Sequence, residues 1–408
     1  MRQQLITIVV AGAVVTGAMS LRADTNTPAL PSFPAMTNLP ATPRPSMPAE
    51  APTTPALATA ESVLTTDQQA QANFDTGVQF MQEKKYRSAV EAFQKATAQR
   101  PEFFEAFNNW GISLVQLGKA SRNPQEQADH FQSAVEKFAE AAKLKPDEKI
   151  TQMLWSETLL LLGDLPLESR LRLACYQGAI ERARRAVALG PDDWEAYNKW
   201  AVVLSTKLAP YAVSDQARVQ LFLEASDLFG KAAERTRFSG ELGPVFANWG
   251  SALTRAARLS TDPVQKQSLL RTAQERFERS ARAVPNASAT YAMWGSALIE
   301  LGKVSRMRSD LRTAIDKLNT AASLNPKDAG ALYNLACAYA LMDNTVLAVQ
   351  NLKQCFELDP TRTYINAAPT DADLATLRGQ TSFDELFGAR TPAGGLPAYN
   401  PRLSGQPQ

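Results

Sequence analysis

The chain has 408 residues, 45% of them hydrophobic, and its 43 Lys and Arg almost balance 41 Asp and Glu, for a formal net charge of +2. No basic excess exists of the kind a nucleic-acid groove needs, so nucleic acid is not an expected partner. The lone histidine, His130, excludes His-based metal clusters and Ser/His/Asp or Cys/His catalytic sets, and Cys175, Cys337 and Cys355 are too few for a disulfide scaffold. All three cysteines read as small buried hydrophobes.

Residues 1–23 read as a secretory signal peptide: Arg2, an apolar run from Leu5 to Met19, and small residues before an expected cleavage after Ala23. The run falls short of the roughly 20 apolar residues that span a bilayer. The alternative is an uncleaved segment anchoring the chain to the inner membrane, with membrane contact only in that case. No cysteine precedes Cys175, so no lipid-accepting cysteine follows the signal. Residues 24–65 hold nine prolines between Pro28 and Pro55 with few charges, which reads as a disordered, extended linker.

From about Thr66 the pattern turns helical and repeats. Trp110, Trp155, Trp200, Trp249 and Trp294 are 45, 45, 49 and 45 residues apart, an interval that marks an array of repeats. Gly77, Phe80, Tyr86, Ala89, Phe93, Ala96 and Pro101 carry the small and large positions of a helical hairpin. Later units keep an alanine, a large residue four on, a small residue three further and a proline five beyond, as in Ala134, Phe138, Ala141, Pro146 and Ala273, Phe277, Ser280, Pro285. In these positions the chain resembles the tetratricopeptide-repeat family, whose unit is a 34-residue helix-turn-helix. The resemblance implies an all-α, right-handed α-solenoid of about seven repeats over 66–360, with units near 70–103, 104–148, 149–193, 194–242, 243–287, 288–328 and 329–360. In the fourth unit Arg237 replaces the expected proline, and a long loop is expected through Gly240 and Gly243.

A second departure is one of length. The first-helix tryptophan position and the second-helix alanine are 13 residues apart from Leu335 to Ala348, but 24 from Trp110 to Ala134, Trp155 to Ala179 and Trp249 to Ala273, 25 from Trp200 to Ala225 and 20 from Trp294 to Ala314. Start signals inside the added stretch, at Asn123-Pro124, Asp164 with Pro166, Ser214-Asp215 and Asp262-Pro263, predict second helices of about 21 residues, roughly 30 Å. Residues 361–388 read as C-terminal capping helices, with capping boxes at Thr370/Asp373 and Ser382/Glu385 and apolar faces of Leu374, Leu377, Phe383, Leu386 and Phe387. Residues 389–408 read as a disordered tail.

No glycine-rich phosphate loop occurs. Glu136, Glu140 and Glu181, beside Lys137, Lys143 and Arg182, read as a solvated, salt-bridged face. The tryptophans are expected to pack between hairpins, with carbohydrate stacking as the alternative. Asn286-Ala287-Ser288 reads as a helix cap more than a glycosylation acceptor.

The resemblance implies a concave surface lined by first helices and suited to peptides or partner helices. The matching positions are Phe74, Val78 and Met81; Asn108, Asn109 and Ile112; Met153 and Glu157; Asn198, Lys199 and Val202; Asn248, Ser251 and Arg255; Ser296; and Tyr333 and Asn334. The family's carboxylate clamp is not recognisable, because Phe74 and Val78 stand where it needs Lys and Asn one turn apart, with Asn108 and Ile112 in the next unit. The expectation is a non-enzymatic scaffold of the cell envelope, exported and periplasmic, that binds a protein or peptide and uses no cofactor or metal. A cell-wall glycan binder and an accessory subunit of an envelope enzyme are the alternatives.

Overall fold

A computed structural model describes residues 65–236 and 239–387. The expected signal peptide, the Pro-rich linker up to Leu64, Arg237 and the expected tail lie outside the described residues. The described residues are helical, with no strand among them, and form two compact units that divide between Tyr211 and Ala212, inside the expected fourth repeat.

The first unit pairs α1 (Thr66–Gln82) with α2 (Tyr86–Gln99), α3 (Phe104–Ala120) with α4 (Pro124–Leu144), and α5 (Lys149–Gly163) with α6 (Ser169–Leu189), followed by α7 (Trp194–Val202). Local chemistry sets the helix starts. Thr65 and Gln68 form a reciprocal capping box, and Asn123 caps α4 with Pro124 at its first position. Asp164, expected to start α6, instead ends α5, and α6 starts after Glu168. Beyond α7 the chain continues as a π-helix (Val203–Leu208) and a 3₁₀ turn (Ala209–Tyr211). Pro210 has no N–H to carry an α pattern onward, while Ser205 and Thr206 hydroxyls donate back to the Ala201 and Val202 carbonyls at 2.9 and 2.7 Å.

Glycines opposite large side chains hold each hairpin together. A Cβ on Gly77 would fall 2.5 Å from the Phe93 ring, and one on Gly111 2.7 Å from Phe138, itself fully buried. The added turns repeat this pairing one heptad on, Gly118 against Phe131 and Gly163 against Tyr176. A seven-residue step returns to nearly the same helix face, so the extension copies the contact instead of improvising one.

The second unit contains α8 (Asp215–Arg235), α9 (Ser239–Leu259) with α10 (Pro263–Ala283), α11 (Ser288–Ser305) with α12 (Arg308–Leu324), and α13 (Ala329–Leu341) with α14 (Thr345–Glu357). Ser214 and Asp262 cap α8 and α10 as their positions imply, and α4, α6, α8 and α10 all run 21 residues. The loop expected through Gly240 and Gly243 is instead the start of α9. A side chain at Gly243 would strike Val284, and its carbonyl accepts the Ser280 hydroxyl at 2.7 Å, so this glycine serves close helix approach and not a turn. Nor does Asn286 cap α11: Ala287 stands at the cap, with no side-chain bond.

A C-terminal cover closes this unit with α15 (Thr363–Ala367), a 3₁₀ helix (Ala372–Leu377), α16 (Thr381–Asp384) and a last 3₁₀ turn (Glu385–Phe387). The two expected capping boxes do not form. Asp371, one residue after Thr370, accepts the Asp373 N–H at 2.9 Å, and α16 follows Gln380 with no side-chain cap. The short Asp side chain closes an Asx turn two residues on, which suits a tight 3₁₀ start. Leu374 and Leu377 are fully buried and Phe383 nearly so, joining the core of α13 and α14.

Candidate functional site

Within each unit the first helices of neighbouring hairpins approach one another more closely than the second helices do, so they line the inner side of the stack. In the first unit this side carries a step. Helix α2 begins three residues before Ala89 and α4 ten before Ala134, so the second hairpin overtops the first by about two turns. Against that step lies a cavity of about 270 Å³. Met81 and Ile112 with Val115 and Leu154 give it apolar walls over the buried Phe138; Gln82, Lys84, Gln116 and Lys119 put donors around it; Tyr86, Glu157 and Thr158 complete the lining.

Charges run along the inner side. Lys119 lies 3.7 Å from Glu157, which lies 3.5 Å from Lys199, which pairs with Glu195 at 3.0 Å. Burial works against the Lys199 charge, yet Glu195 and Glu157 outweigh it and hold the ammonium above the usual lysine range. In the second unit Arg258 reaches Ser296 at 2.7 Å and Glu300 at 3.1 Å, and Lys303 bridges Glu300 at 3.3 Å and Asp373 at 2.8 Å. These pairs are partly solvated, each worth about 0–1 kcal/mol, and they shape the face more than they stabilise it.

Of the sequence-derived site residues, Met81, Ile112 and Glu157 meet in the cavity, and Lys199 joins through Glu157. Phe74 is part of the packing between the first two hairpins, its ring 5.7 Å from Phe93 and 4.9 Å from Phe103, and Val78 packs beside it. Asn108 is buried and donates to the Thr151 hydroxyl at 2.9 Å, a bond inside the stack that withdraws its amide from the groove. Asn109 is buried as well, its carbonyl accepting Ser113. Met153, Asn198, Asn248, Ser251 and Asn334 are half-buried, and Arg255 is exposed. Tyr333 is buried and donates to Asp371 at 2.7 Å, so it clasps the C-terminal cover instead of facing a ligand.

Sequence reasoning missed Val115, Gln116, Lys119, Leu154 and Thr158. A signal existed: Lys119, Arg258 and Lys303 each stand nine residues after the first-helix tryptophan, a place that is helical only because these first helices are long. Lys137 and Arg182, read as part of a solvated salt-bridged face, lie instead over indole rings. Lys137 covers Trp110 at 4.3 Å, Arg182 covers Trp155 at 4.0 Å, Arg276 covers Trp249 at 4.1 Å and Lys317 covers Trp294 at 4.3 Å. Phe107, Phe246 and Tyr291 stack beside Trp110, Trp249 and Trp294, and the Trp249 N–H donates to Ser226 at 2.6 Å. The tryptophans are therefore engaged in packing within and between hairpins.

Among the described residues, one cluster could suggest a metal. Cys337, Asp371 and Asp373 bring their ligand atoms within 4.8 Å of one another. Tyr333 and Lys303 already engage the two carboxylates, however, and burial pushes the Cys337 thiol far above its ordinary range, so it stays protonated. The cluster reads as the clasp of the cover.

Stacked antiparallel hairpins, with a small residue against a large aromatic or leucine side chain where the helices cross, define the class: an all-α solenoid fold of tetratricopeptide type. Residues 329–362 match the profile of the tetratricopeptide repeat family, and they coincide with α13 and α14, a hairpin of standard length. No curated protein matches the chain significantly. Solved structures that align with it include YrrB, a TPR protein with an unusual peptide-binding site, at 18% identity and TM-score 0.39 over 58% of this chain and 98% of that one. The C-terminal part of a TPR repeat-containing protein from Cytophaga hutchinsonii aligns at 15% and 0.46 over 72% and 98%. The type IV pilus biogenesis factor PilW aligns at 16% and 0.43 over 65% and 97%.

Proposed function

We propose that this chain is a non-enzymatic scaffold that holds an extended peptide of a partner protein along α1, α3 and α5. The observation that carries the reading is the step between the short first hairpin and the tall second one, with apolar walls from three first helices and hydrogen-bond donors around them. Extended peptides bind by main-chain hydrogen bonds for affinity and by pockets for alternate side chains, and this groove offers both. The covered indole faces speak against glycan stacking. Export to the cell envelope rests on the pattern of residues 1–23; protein recovered from a bacterial periplasm is expected to begin at Asp24, and retention of Met1 in the membrane fraction would favour the anchored form.

The groove is tested with a displayed peptide library selected against the full chain. Selected peptides are expected to share apolar anchors and to lose binding to Leu154→Asp and Met81→Asp variants that still melt cooperatively, since both side chains also pack against the core. Binding that survives in both variants places the partner surface elsewhere and overturns the reading.

A further inference from the structure

The groove has a candidate occupant within the same chain. Leu30, Phe33, Met36 and Leu39 recur every third residue, between Pro28, Pro31, Pro34 and Pro40, with no charged residue from Pro28 to Pro43. A polyproline II helix has three residues per turn and rises about 3.1 Å per residue, so this segment in that conformation presents all four on one face, about 9 Å apart. Packed helices are spaced at roughly 8–10 Å. Three consecutive apolar side chains of a segment laid across the helices would thus meet one first helix each, where Met81 of α1, Ile112 and Val115 of α3, and Leu154 of α5 form the walls.

The hydrogen-bonding chemistry matches too. A segment in the polyproline II conformation displays carbonyls that no internal bond satisfies, and the prolines contribute no N–H of their own, so it takes donors from its receptor. Gln82, Gln116, Lys84 and Lys119 surround the cavity with donors, and Tyr86 offers an aromatic surface for a proline ring. Reach is no obstacle. From Leu39 to Thr65, the cap of α1, the chain spans on the order of 25–30 Å as a coil and about 85 Å at most, whereas α1 itself, at 17 residues, is about 25 Å long.

We infer that residues 28–40 dock in the α1/α3/α5 groove of the same molecule and compete with any external peptide for it. The inference rests on the groove reading above and adds the groove's resident ligand: an uncharged polyproline II segment with an apolar residue at every third position. A partner that displaces it must carry the same pattern or bind more tightly than a tethered arm at millimolar effective concentration.

The full chain supplies the test. A fluorescent peptide of residues 27–42 is titrated into the native chain and into a chain carrying Leu30→Ser, Phe33→Ser, Met36→Ser and Leu39→Ser together. The substituted chain is expected to bind the peptide at least about tenfold more tightly, because its arm no longer competes. Adding Leu154→Asp to that chain should abolish binding, and the variant is read only where it still melts cooperatively, because Leu154 also packs against the core of this unit. Independently, a photo-crosslinker placed by Phe33→benzoylphenylalanine should attach within one molecule to α1, α3 or α5. Equal affinity of the two chains overturns the inference, and so does competition that fades on dilution, which assigns the arm to a second copy. If neither chain binds the arm peptide while library peptides still bind, this inference fails alone. If library peptides fail as well, the groove reading falls with it.

Discussion

Gly111 and Phe138 show how much of this fold is decided by single contacts. The ring occupies the space a Cβ would need, so enlarging the glycine forces overpacking of a fully buried site. Gly111→Val is expected to destabilise by about 1–3 kcal/mol, and Phe138→Leu in the same chain should recover part of that loss, a coupling that a double-mutant cycle of denaturant melts would read. Thiol chemistry gives a second residue-scale prediction. Burial pushes the Cys175 thiol up to about 11 and the Cys355 thiol up to about 12. Each stays neutral in the folded chain while its unfolded counterpart ionises near pH 8.5. The raised values therefore favour folding fully below about pH 8.5, and that contribution falls as pH rises towards 11 and 12. Thiol-reactive dye at pH 8 should label the protein only after unfolding, and denaturant midpoints should decline across the alkaline range; rapid labelling of native protein would contradict the burial.

At the scale of the element, caps and length matter more than propensity. Asn123, Ser214 and Asp262 each accept a backbone N–H at a helix start, so replacing any one by Ala should cost about 1 kcal/mol, whereas Asn286→Ala should cost nothing measurable because Asn286 makes no cap. Thermal shifts of the four variants check both halves of the statement. The long hairpins and three of their start signals were legible in the sequence because proline and Asx residues act locally. The capping boxes of the C-terminal cover were misread for the complementary reason: Thr370 and Ser382 fit a spacing rule, but the short 3₁₀ geometry there is served by Asp371. Gly240 and Gly243 misled in the same way. A glycine that permits close approach looks, in sequence, like a glycine that makes a turn.

For the whole molecule, near-neutral charge and partly solvated ion pairs predict little response to salt. Denaturant stability should change by less than about 1 kcal/mol between low and moderate ionic strength, and a polyanion column should not retain the protein. The C-terminal cover contributes more. Leu377 is fully buried in the core of α13 and α14, so Leu377→Ala should cost about 2–5 kcal/mol, while a substitution at exposed Val346 should be close to silent. Equal effects at the two positions would mean that the cover does not seal the repeats.

The sequence by itself determined the helical hairpins, their unusual height, the small and large positions at which they cross, and the absence of the residue sets that histidine-dependent or phosphate-loop chemistry requires. All of these depend on short-range periodicity, which the chain carries in its Trp interval and its Ala-Phe-Ala-Pro spacing. Only the tertiary structure decided which inner-face residues remain for a ligand. Asn108 and Tyr333 occupy family groove positions yet spend their polar atoms on Thr151 and Asp371, more than 35 residues away in sequence. Val115, Lys119 and Leu154 gained a place in the cavity because a short hairpin stands beside a tall one. Exposure and hydrogen-bond partnership belong to neighbouring hairpins jointly, and a pattern read within one hairpin does not contain them.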